Sequence, residues 1–137
     1  SICLSLLSTE TEGYEQAQQQ FIKQINELVK HQDATGSWHQ VVDHPESYPE
    51  FTSTCMIASA ILLGIKTGVL QRDDYWAVIV RAKQATIRRI APSGFINDVC
   101  TGTGKQKNIR AYLDREAIQG RNDRAGAMAL LFLTLLQ

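Results

Sequence analysis

The feature that most constrains the fold of this chain is a repeated alternation between helices with one polar face and helices with almost none. The segments Glu12–Gln32 and Asp73–Ile90 carry apolar residues at spacings of three and four, which predicts helices with one face in water. The segments Thr52–Thr67 and Arg124–Leu136 are apolar on nearly every side, which predicts helices enclosed by other helices. An outer layer of two-faced helices around an inner layer of apolar ones is the pattern of an all-α, α/α toroid.

The connections between these helices repeat as well. Each two-faced helix is followed by a stop at a glycine, and the two glycines, Gly36 and Gly94, lie 58 residues apart. An aromatic residue follows each stop, Trp38 in the first half and Phe95 in the second, so we predict that these two correspond. A long polar loop then enters the N-terminus of an apolar helix in both halves. The two loops are therefore predicted to gather at one end of the inner layer.

The same pattern predicts helix faces and helix ends. The residues at the start of the chain, Ser1–Leu7, resemble the last turns of an apolar helix. Asp73 or Asp74 is expected to cap the second two-faced helix, and Asn122 or Asp123 the last helix. The expected inward residues of the second two-faced helix are Trp76, Val80, Ile87 and Ile90.

A chain of 137 residues, 44% of them hydrophobic, is predicted to form one domain over residues 1–137. Two and a half helical hairpins do not close a ring, and their apolar inner helices would be exposed at both ends of the arc. The chain is therefore expected either to be part of a larger ring or to pair with a second copy as a homodimer. Its start, SICLSLL without an initiator Met, favours a piece of a longer protein.

Charge and cysteine content argue against several kinds of partner. Fourteen basic and fourteen acidic residues cancel, so the chain predicts no nucleic acid and no anionic membrane as partner. No apolar run reaches the length of a membrane span, and no signal peptide is recognisable. The cysteines Cys3, Cys55 and Cys100 are odd in number and widely spaced, which indicates neither a disulfide framework nor a zinc site.

The stretch Gly36–Ser59 contains the densest set of polar and aromatic groups. It places two histidines and three carboxylates directly before an apolar helix, which favours a binding rim. Helix N-termini favour anions, and basic residues in the second loop add to that preference. Flat aromatic side chains can stack on sugar rings, so the rim predicts a carboxylated sugar as ligand. These aromatic residues are Trp38, Tyr48, Phe51 and Tyr112.

Each of these signals has a simpler alternative. Trp38 could serve only as a lid on the helix ends, and the histidines His39 and His44 could be solvated loop residues. The spacing of the histidines and Asp43 matches no common metal site. Thr101–Lys105 reads TGTGK but lacks the glycine, the hydroxyl residue and the preceding strand of a phosphate-binding loop. Glycosidases use paired carboxylates, and nothing in the sequence selects a pair.

Several motifs together resemble a known family. Residues 33–43 read DATGSWHQVVD and residues 45–53 read PESYPEFTS, followed by an apolar helix that ends in GIKTGVL. The later runs GFINDVC and GRNDRAGAMALL fit the same comparison. From about Gln32 to its end, the chain resembles the unsaturated glucuronyl and unsaturated rhamnogalacturonyl hydrolases of glycoside hydrolase families 88 and 105. The resemblance implies the C-terminal part of a six-hairpin (α/α)6 glycosidase.

The resemblance also implies a chemistry. Such enzymes hydrate the C4–C5 double bond of a terminal unsaturated uronic acid left by a polysaccharide lyase, with an Asp as general acid and base and with no metal or organic cofactor. In the family that Asp precedes the region matched here, so no catalytic residue is assigned and this chain alone is expected to be inactive. The residues implied to contact substrate are Trp38, His39, Gln40, Glu50, Thr52, Ser53, Arg121 and Arg124.

Two hypotheses for function remain at this stage. The first is the C-terminal portion of a hydrolase acting on oligosaccharides that end in an unsaturated uronic acid. The alternative is a non-catalytic helical module that binds carbohydrate or dimerises through its inner helices. The polysaccharide and the linkage are not predicted. Breakdown of imported disaccharides would favour the cytoplasm, and the periplasm is the second expectation.

Overall fold

The structure, a computed structural model, describes residue 4 and residues 6–102 and 104–137. The helix predicted at Ser1–Leu7 therefore lies largely outside the described residues. In the elements described below, four long helices carry the fold, and two small antiparallel ribbons and one short helix join them. The elements in chain order are α1 (Tyr14–Lys30), β1 (Trp38–His39), β2 (Pro49–Glu50), α2 (Phe51–Lys66), α3 (Arg72–Arg88), β3 (Ile96–Cys100), α4 (Ile109–Leu113), β4 (Ala117–Gly120) and α5 (Asp123–Leu135).

The predicted inner and outer layers are present. Helix α2 packs against α5 and α3, with α1 on its other side. Half or more of the α2 residues are buried, including Phe51, Cys55 and Ile61 at 0% exposure, whereas α1 buries only Ile25 among its residues. A helix with little polar surface lies inside because other helices remove most of its apolar area from water. The wholly apolar α2 thus lies inside, whereas α5, which is also apolar on nearly every side, buries only Ala125, Ala129 and Phe132 in the described part of the chain.

The predicted inward face of α3 is wrong at two positions. Val80 and Ile87 are 39% and 50% exposed, and the buried face is a different stripe that includes two alanines. Helix α3 carries two apolar stripes, and the stripe with alanines faces the core because small side chains let helices approach closely. The buried residues of α3 are Tyr75, Val78, Ile79, Ala82, Ala85 and Thr86.

The predicted helix caps are partly confirmed. Asn122 caps α5, since its side chain accepts a hydrogen bond of 2.9 Å from the Ala125 N–H. The cap of α3 was predicted two or three residues too late, because Gln71 is the cap residue and the helix begins at Arg72. Asp73 and Asp74 lie in the first turn, where their charge still complements the helix dipole.

The two stops are true structural counterparts, but the residues predicted to correspond after them are not. Gly36 and Gly94 both have positive φ, 91° and 80°. Each turn that follows a two-faced helix therefore ends at a glycine in the left-handed conformation. Two residues later the chain enters a ribbon strand with a buried side chain, Trp38 in one half and Ile96 in the other. Phe95 is instead 48% exposed. The spacing from the glycine, rather than aromatic character, decides which side chain is buried.

The ends of the arc expose apolar side chains, as predicted. On α5 the side chains of Leu130 and Leu131 are 69% and 46% exposed, and on α2 that of Met56 is 55% exposed. Trp76, Val80, Ile87 and Leu136 line a separate groove along α3. In the described residues, no helix combines the length and the hydropathy needed to cross a membrane.

Candidate functional site

The N-terminus of the inner helix α2 is built around the carboxylate of Glu50. This residue ends strand β2 and caps α2, and its side chain accepts hydrogen bonds from the N–H groups of Thr52 and Ser53 at 3.0 and 2.5 Å. The Thr52 hydroxyl donates to the same carboxylate at 2.8 and 2.9 Å. Glu50 is only 4% exposed, so its charge is held by these donors and by the positive end of the helix dipole.

Cys100 connects this helix mouth to the second loop. Its backbone N–H donates to the Glu50 carboxylate at 2.9 Å, and its carbonyl accepts a hydrogen bond from the Arg124 guanidinium in the first turn of α5. The last residue of β3 thus lies between the N-termini of both inner helices. The structure confirms in this way that the two loops gather at one end of the inner layer.

These residues enclose a cavity of about 210 Å³ at the α2 mouth. Four of the side chains predicted to contact substrate line it, together with two that were not predicted. Within the described part of the chain, Gln40 Oε1 is buried and has no hydrogen-bond partner. The six lining residues are Gln40, Glu50, Thr52, Ser53, Met56 and Cys100.

His39 is close to this cavity but is fixed by its neighbours. One ring nitrogen lies 2.5 Å from the Ser47 carbonyl oxygen and the other 3.0 Å from the Asp33 carboxylate. Burial favours a higher pKa for Asp33, yet hydrogen bonds from Ser37, Thr35 and His39 together hold that pKa below its usual value. His39 lines a neighbouring depression and orients the loop by joining its two ends.

Trp38 lies in the core. Its ring is 0% exposed, its indole N–H donates to the Leu28 carbonyl at 2.6 Å, and its backbone N–H donates to the Thr54 hydroxyl at 3.1 Å. A fully buried ring offers no face to a sugar, so the simpler alternative, a lid on the helix ends, describes its position. Trp38 ties α1 to the start of α2 and so fixes the loop beside the cavity.

The two predicted arginines lie at the mouth of α5. Arg124 holds the Cys100 carbonyl, as described above, and Arg121 is exposed. Arg121 lines a separate depression of about 470 Å³ with Ser93, Gly94 and Asn122. The predicted site residues therefore divide between two adjacent helix mouths, of which the first carries a buried carboxylate and the second an exposed guanidinium.

A second polar connection between the loops was not predicted from the sequence. Arg89, at the end of α3, donates to the Ser37 hydroxyl at 2.7 Å and to the Asp98 carboxylate at 3.2 Å. Asp98 lies at an irregularity in the β3–β4 ribbon and has a φ of 62°, and Gln119 also donates to its carboxylate. A polar residue in this rare conformation is a signal for a tertiary role, but its partners lie too far along the chain to be inferred.

Tyr48 lies next to Cys100 in the same region, whereas the sequence suggested only that its aromatic ring could stack on a sugar. Burial raises the pKa of its phenol, and the neighbouring Cys100 thiol raises it further. His44 and Glu46 form a pair with 2.9 Å between ring nitrogen and carboxylate oxygen on the exposed part of the loop, and this hydrogen bond raises the pKa of His44. Among the described residues, no three His, Cys, Asp or Glu side chains form a group able to hold a metal ion.

The sequence and the fold were compared with known proteins. The sequence matches the model of Glycosyl Hydrolase Family 88 over residues 1–136. The chain belongs to glycosyl hydrolase family 88. It is also 31% identical over 112 residues to the unsaturated rhamnogalacturonyl hydrolase YesR of Bacillus subtilis, a match that covers 80% of this chain and 30% of YesR.

Solved structures support the same assignment. A possible member of the GH105 family from Salmonella enterica superposes with a TM-score of 0.88 and 29% identity over 97% of this chain and 35% of that protein. A family 88 hydrolase from Bacteroides vulgatus, at 21% identity and a TM-score of 0.74, shares the fold over 96% of this chain and 37% of its own length. This family 88 chain thus forms part of an α/α toroid and spans about a third of the length of these relatives.

Proposed function

We propose that this family 88 chain forms one wall of the substrate cleft of a hydrolase that acts on oligosaccharides ending in an unsaturated uronic acid. The observation that carries the proposal is the single cavity at the α2 mouth, which draws Gln40 and Glu50 from the first loop and Cys100 from the second. Polar groups from distant parts of a chain that converge on one cavity are typical of a ligand site. The name of YesR, an unsaturated rhamnogalacturonyl hydrolase, agrees with this class of substrate.

The proposed roles follow from the positions of the side chains. Gln40, Thr52 and Ser53 line the cavity and contact the sugar. Glu50 joins the first loop to the second through Cys100, and His39 holds the first loop through its hydrogen bond to Asp33. Arg121, exposed beside the neighbouring depression, supplies a cation for the carboxylate of the uronic acid. Trp38 supports the loop from inside the core.

The proposal assigns the proton transfer to a part of the hydrolase that these 137 residues do not contain. Three carboxylates near the rim are engaged in structural hydrogen bonds: Glu50 with the α2 mouth, Asp33 with His39, and Asp98 with Arg89. We propose accordingly that the chain is the C-terminal portion of an (α/α)6 barrel, as its length relative to YesR supports.

Binding and turnover test this function separately. Titration of the isotope-labelled chain with an unsaturated uronic-acid disaccharide is expected to shift the amide signals of Thr52, Ser53 and Cys100 in nuclear magnetic resonance spectra. The ultraviolet absorbance of the C4–C5 double bond is expected to stay constant during the same titration. Unchanged amide signals at millimolar disaccharide would contradict the binding role, and a steady loss of absorbance would contradict the absence of turnover.

The exposed apolar side chains favour a second candidate function, an assembly module. Leu130 on α5 and Met56 on α2 are 69% and 55% exposed, which leaves apolar surface for another helical hairpin or a second copy. Sedimentation of the purified chain distinguishes the candidates. A stable dimer that does not bind the disaccharide would favour the assembly module over the cleft wall.

A further inference from the structure

The α2 mouth differs from an ordinary helix N-terminus because its anion site is already filled. Glu50 accepts from two of the backbone N–H groups that an anionic ligand would use, Thr52 N–H and Ser53 N–H. It also accepts the Cys100 N–H from the second loop. A carboxylate has lone pairs for about four donors, and these backbone groups together with the Thr52 hydroxyl use them.

The two hydroxyl groups at the same mouth already donate hydrogen bonds within the protein. The Thr52 hydroxyl donates to the Glu50 carboxylate at 2.8 Å, and the Ser53 hydroxyl donates to the Glu50 carbonyl at 3.2 Å. A hydroxyl has one proton, so both oxygens face the cavity with lone pairs only. The unpartnered Gln40 Oε1 is an acceptor as well. Apart from the Gln40 amide NH2, the described side chains of the mouth therefore present mainly acceptors.

The charge of the cavity has the same consequence. Glu50 is the charged side chain in its lining, and the other lining residues described are Gln40, Thr52, Ser53, Met56 and Cys100. The Glu50 carboxylate is buried and offsets the positive end of the α2 dipole. Among the described lining residues, a second carboxylate would meet the like charge of Glu50 and no cationic side chain. A sugar hydroxyl, by contrast, brings the donor that these oxygens lack.

We propose that Glu50 is a specificity-determining residue that reserves the α2 cavity for an uncharged, hydroxyl-bearing sugar ring and excludes the carboxylate of a uronic acid. This inference rests on the proposed function and refines it. The uronic acid then lies toward Arg121 and the α5 mouth, and the neighbouring neutral sugar of the oligosaccharide occupies the α2 cavity. In this arrangement the negative charge of Glu50 selects the neutral ring, and the positive charge of Arg121 selects the adjoining uronic acid.

A matched pair of sugars tests the proposal on the whole chain. Methyl glucoside and methyl glucuronide differ only in the oxidation of C6, and each is titrated while the amide signals of Thr52, Ser53 and Cys100 are followed. The glucoside is expected to bind at these amides about tenfold more tightly than the glucuronide. The glucuronide is expected to shift signals near Arg121 instead.

Substitution of the carboxylate provides the decisive variant. Glu50→Gln removes the charge and is expected to narrow the preference for the glucoside to about threefold or less. Glu46→Gln, the same change on an exposed carboxylate of the same loop, is expected to leave the preference unchanged. Should Glu50→Gln fail to fold, Ser53→Ala keeps the backbone cap and is expected to weaken the glucoside several-fold without admitting the glucuronide.

The outcomes separate this inference from the proposed function. Glucuronide binding at Thr52 and Ser53 as tight as glucoside binding overturns the specificity role and leaves the cleft wall standing. A preference that survives Glu50→Gln intact also overturns the role of Glu50. If neither sugar shifts any amide signal of the rim even at its solubility limit, the proposed function as a wall of the substrate cleft is itself refuted.

Discussion

The two loops of this family 88 chain have the same plan, but their first glycines are packed differently. Each begins at a positive-φ glycine, buries the side chain two residues later, forms an antiparallel ribbon and enters an inner helix. At Gly36 an added Cβ would lie 2.3 Å from the Arg81 carbonyl oxygen, whereas at Gly94 nothing lies within 4 Å. The first loop is packed tightly against α3, and the second has open space around it.

The helix mouths reached by these loops differ in charge as well. The α2 mouth is capped by the buried carboxylate of Glu50, and the α5 mouth by the neutral side chain of Asn122 with Arg121 exposed beside it. A repeated scaffold can thus carry two kinds of ligand contact, because the cap residue decides whether the helix end is free to attract an anion. The repeat places both helix N-termini at the rim, and the side chains at each N-terminus decide its charge.

The largest effect should distinguish Trp38, which is buried after Gly36, from Phe95, the exposed aromatic residue after Gly94. Trp38→Ala removes a completely buried ring and the hydrogen bond to Leu28, so the free energy of unfolding should fall by about 3–5 kcal/mol. Phe95→Ala, at a 48% exposed side chain, should cost less than about 1 kcal/mol. Urea unfolding of both variants measures the contrast, and similar losses would show that the loops are equally packed.

The glycines themselves should differ next. Gly36→Ala and Gly94→Ala both place a side chain at positive φ, which costs about 1–2 kcal/mol. The overlap with the Arg81 backbone should raise the cost at Gly36 to about 3 kcal/mol or more. Equal shifts in the midpoints of urea unfolding would contradict the difference in packing between Gly36 and Gly94.

The two caps should show a smaller difference. Glu50→Ala removes hydrogen bonds to α2 and to Cys100, so it should lower the free energy of unfolding by about 2–3 kcal/mol. Asn122→Ala removes one bond to Ala125 and should cost about 1 kcal/mol. Thermal unfolding followed by circular dichroism tests the order of the two variants, and a more harmful Asn122→Ala would reverse the assigned roles.

The smallest effect should appear in the pH dependence of the first loop. Hydrogen bonds hold the pKa of Asp33 below its usual value, so its folded pKa is depressed relative to the unfolded chain. Its contribution to stability is therefore present above about pH 4 and is lost as the pH falls through the folded pKa. Asp33→Asn should flatten the decline in unfolding free energy between about pH 5 and pH 3. A decline as steep as that of the unmodified chain would contradict this contribution.

Much of the fold could be predicted because it depends on local pattern. The apolar character of Phe51–Lys66 and the two-faced character of Tyr14–Lys30 decide which helix lies inside, and both were evident in the order of residues. The phase of α3 could not be predicted, since its two apolar stripes compete and only the fit of Ala82 and Ala85 against α2 selects one.

The candidate site was predictable to a lesser degree. The motif around Trp38 and the residues at the start of α2 indicated the right loop, but not which side chains face the cavity. Cys100 lies 50 residues from Glu50, and Arg89 lies 52 residues from Ser37, so no local pattern reports these hydrogen bonds. The sequence interpretation of Trp38 as a sugar-stacking surface did not anticipate that packing would enclose the ring completely.

The amino-acid order by itself determined the α2 interior, the repeat and the polar character of the rim, because helix periodicity and turn residues act over a few positions. Tertiary structure alone decided that Glu50 fills the α2 N-terminus, that Cys100 bridges two helices and that Arg121 remains exposed at the other mouth. The physical reason is that a hydrogen bond or a buried charge depends on which distant groups packing brings within about 3 Å. Such distances arise only when the whole arc is assembled.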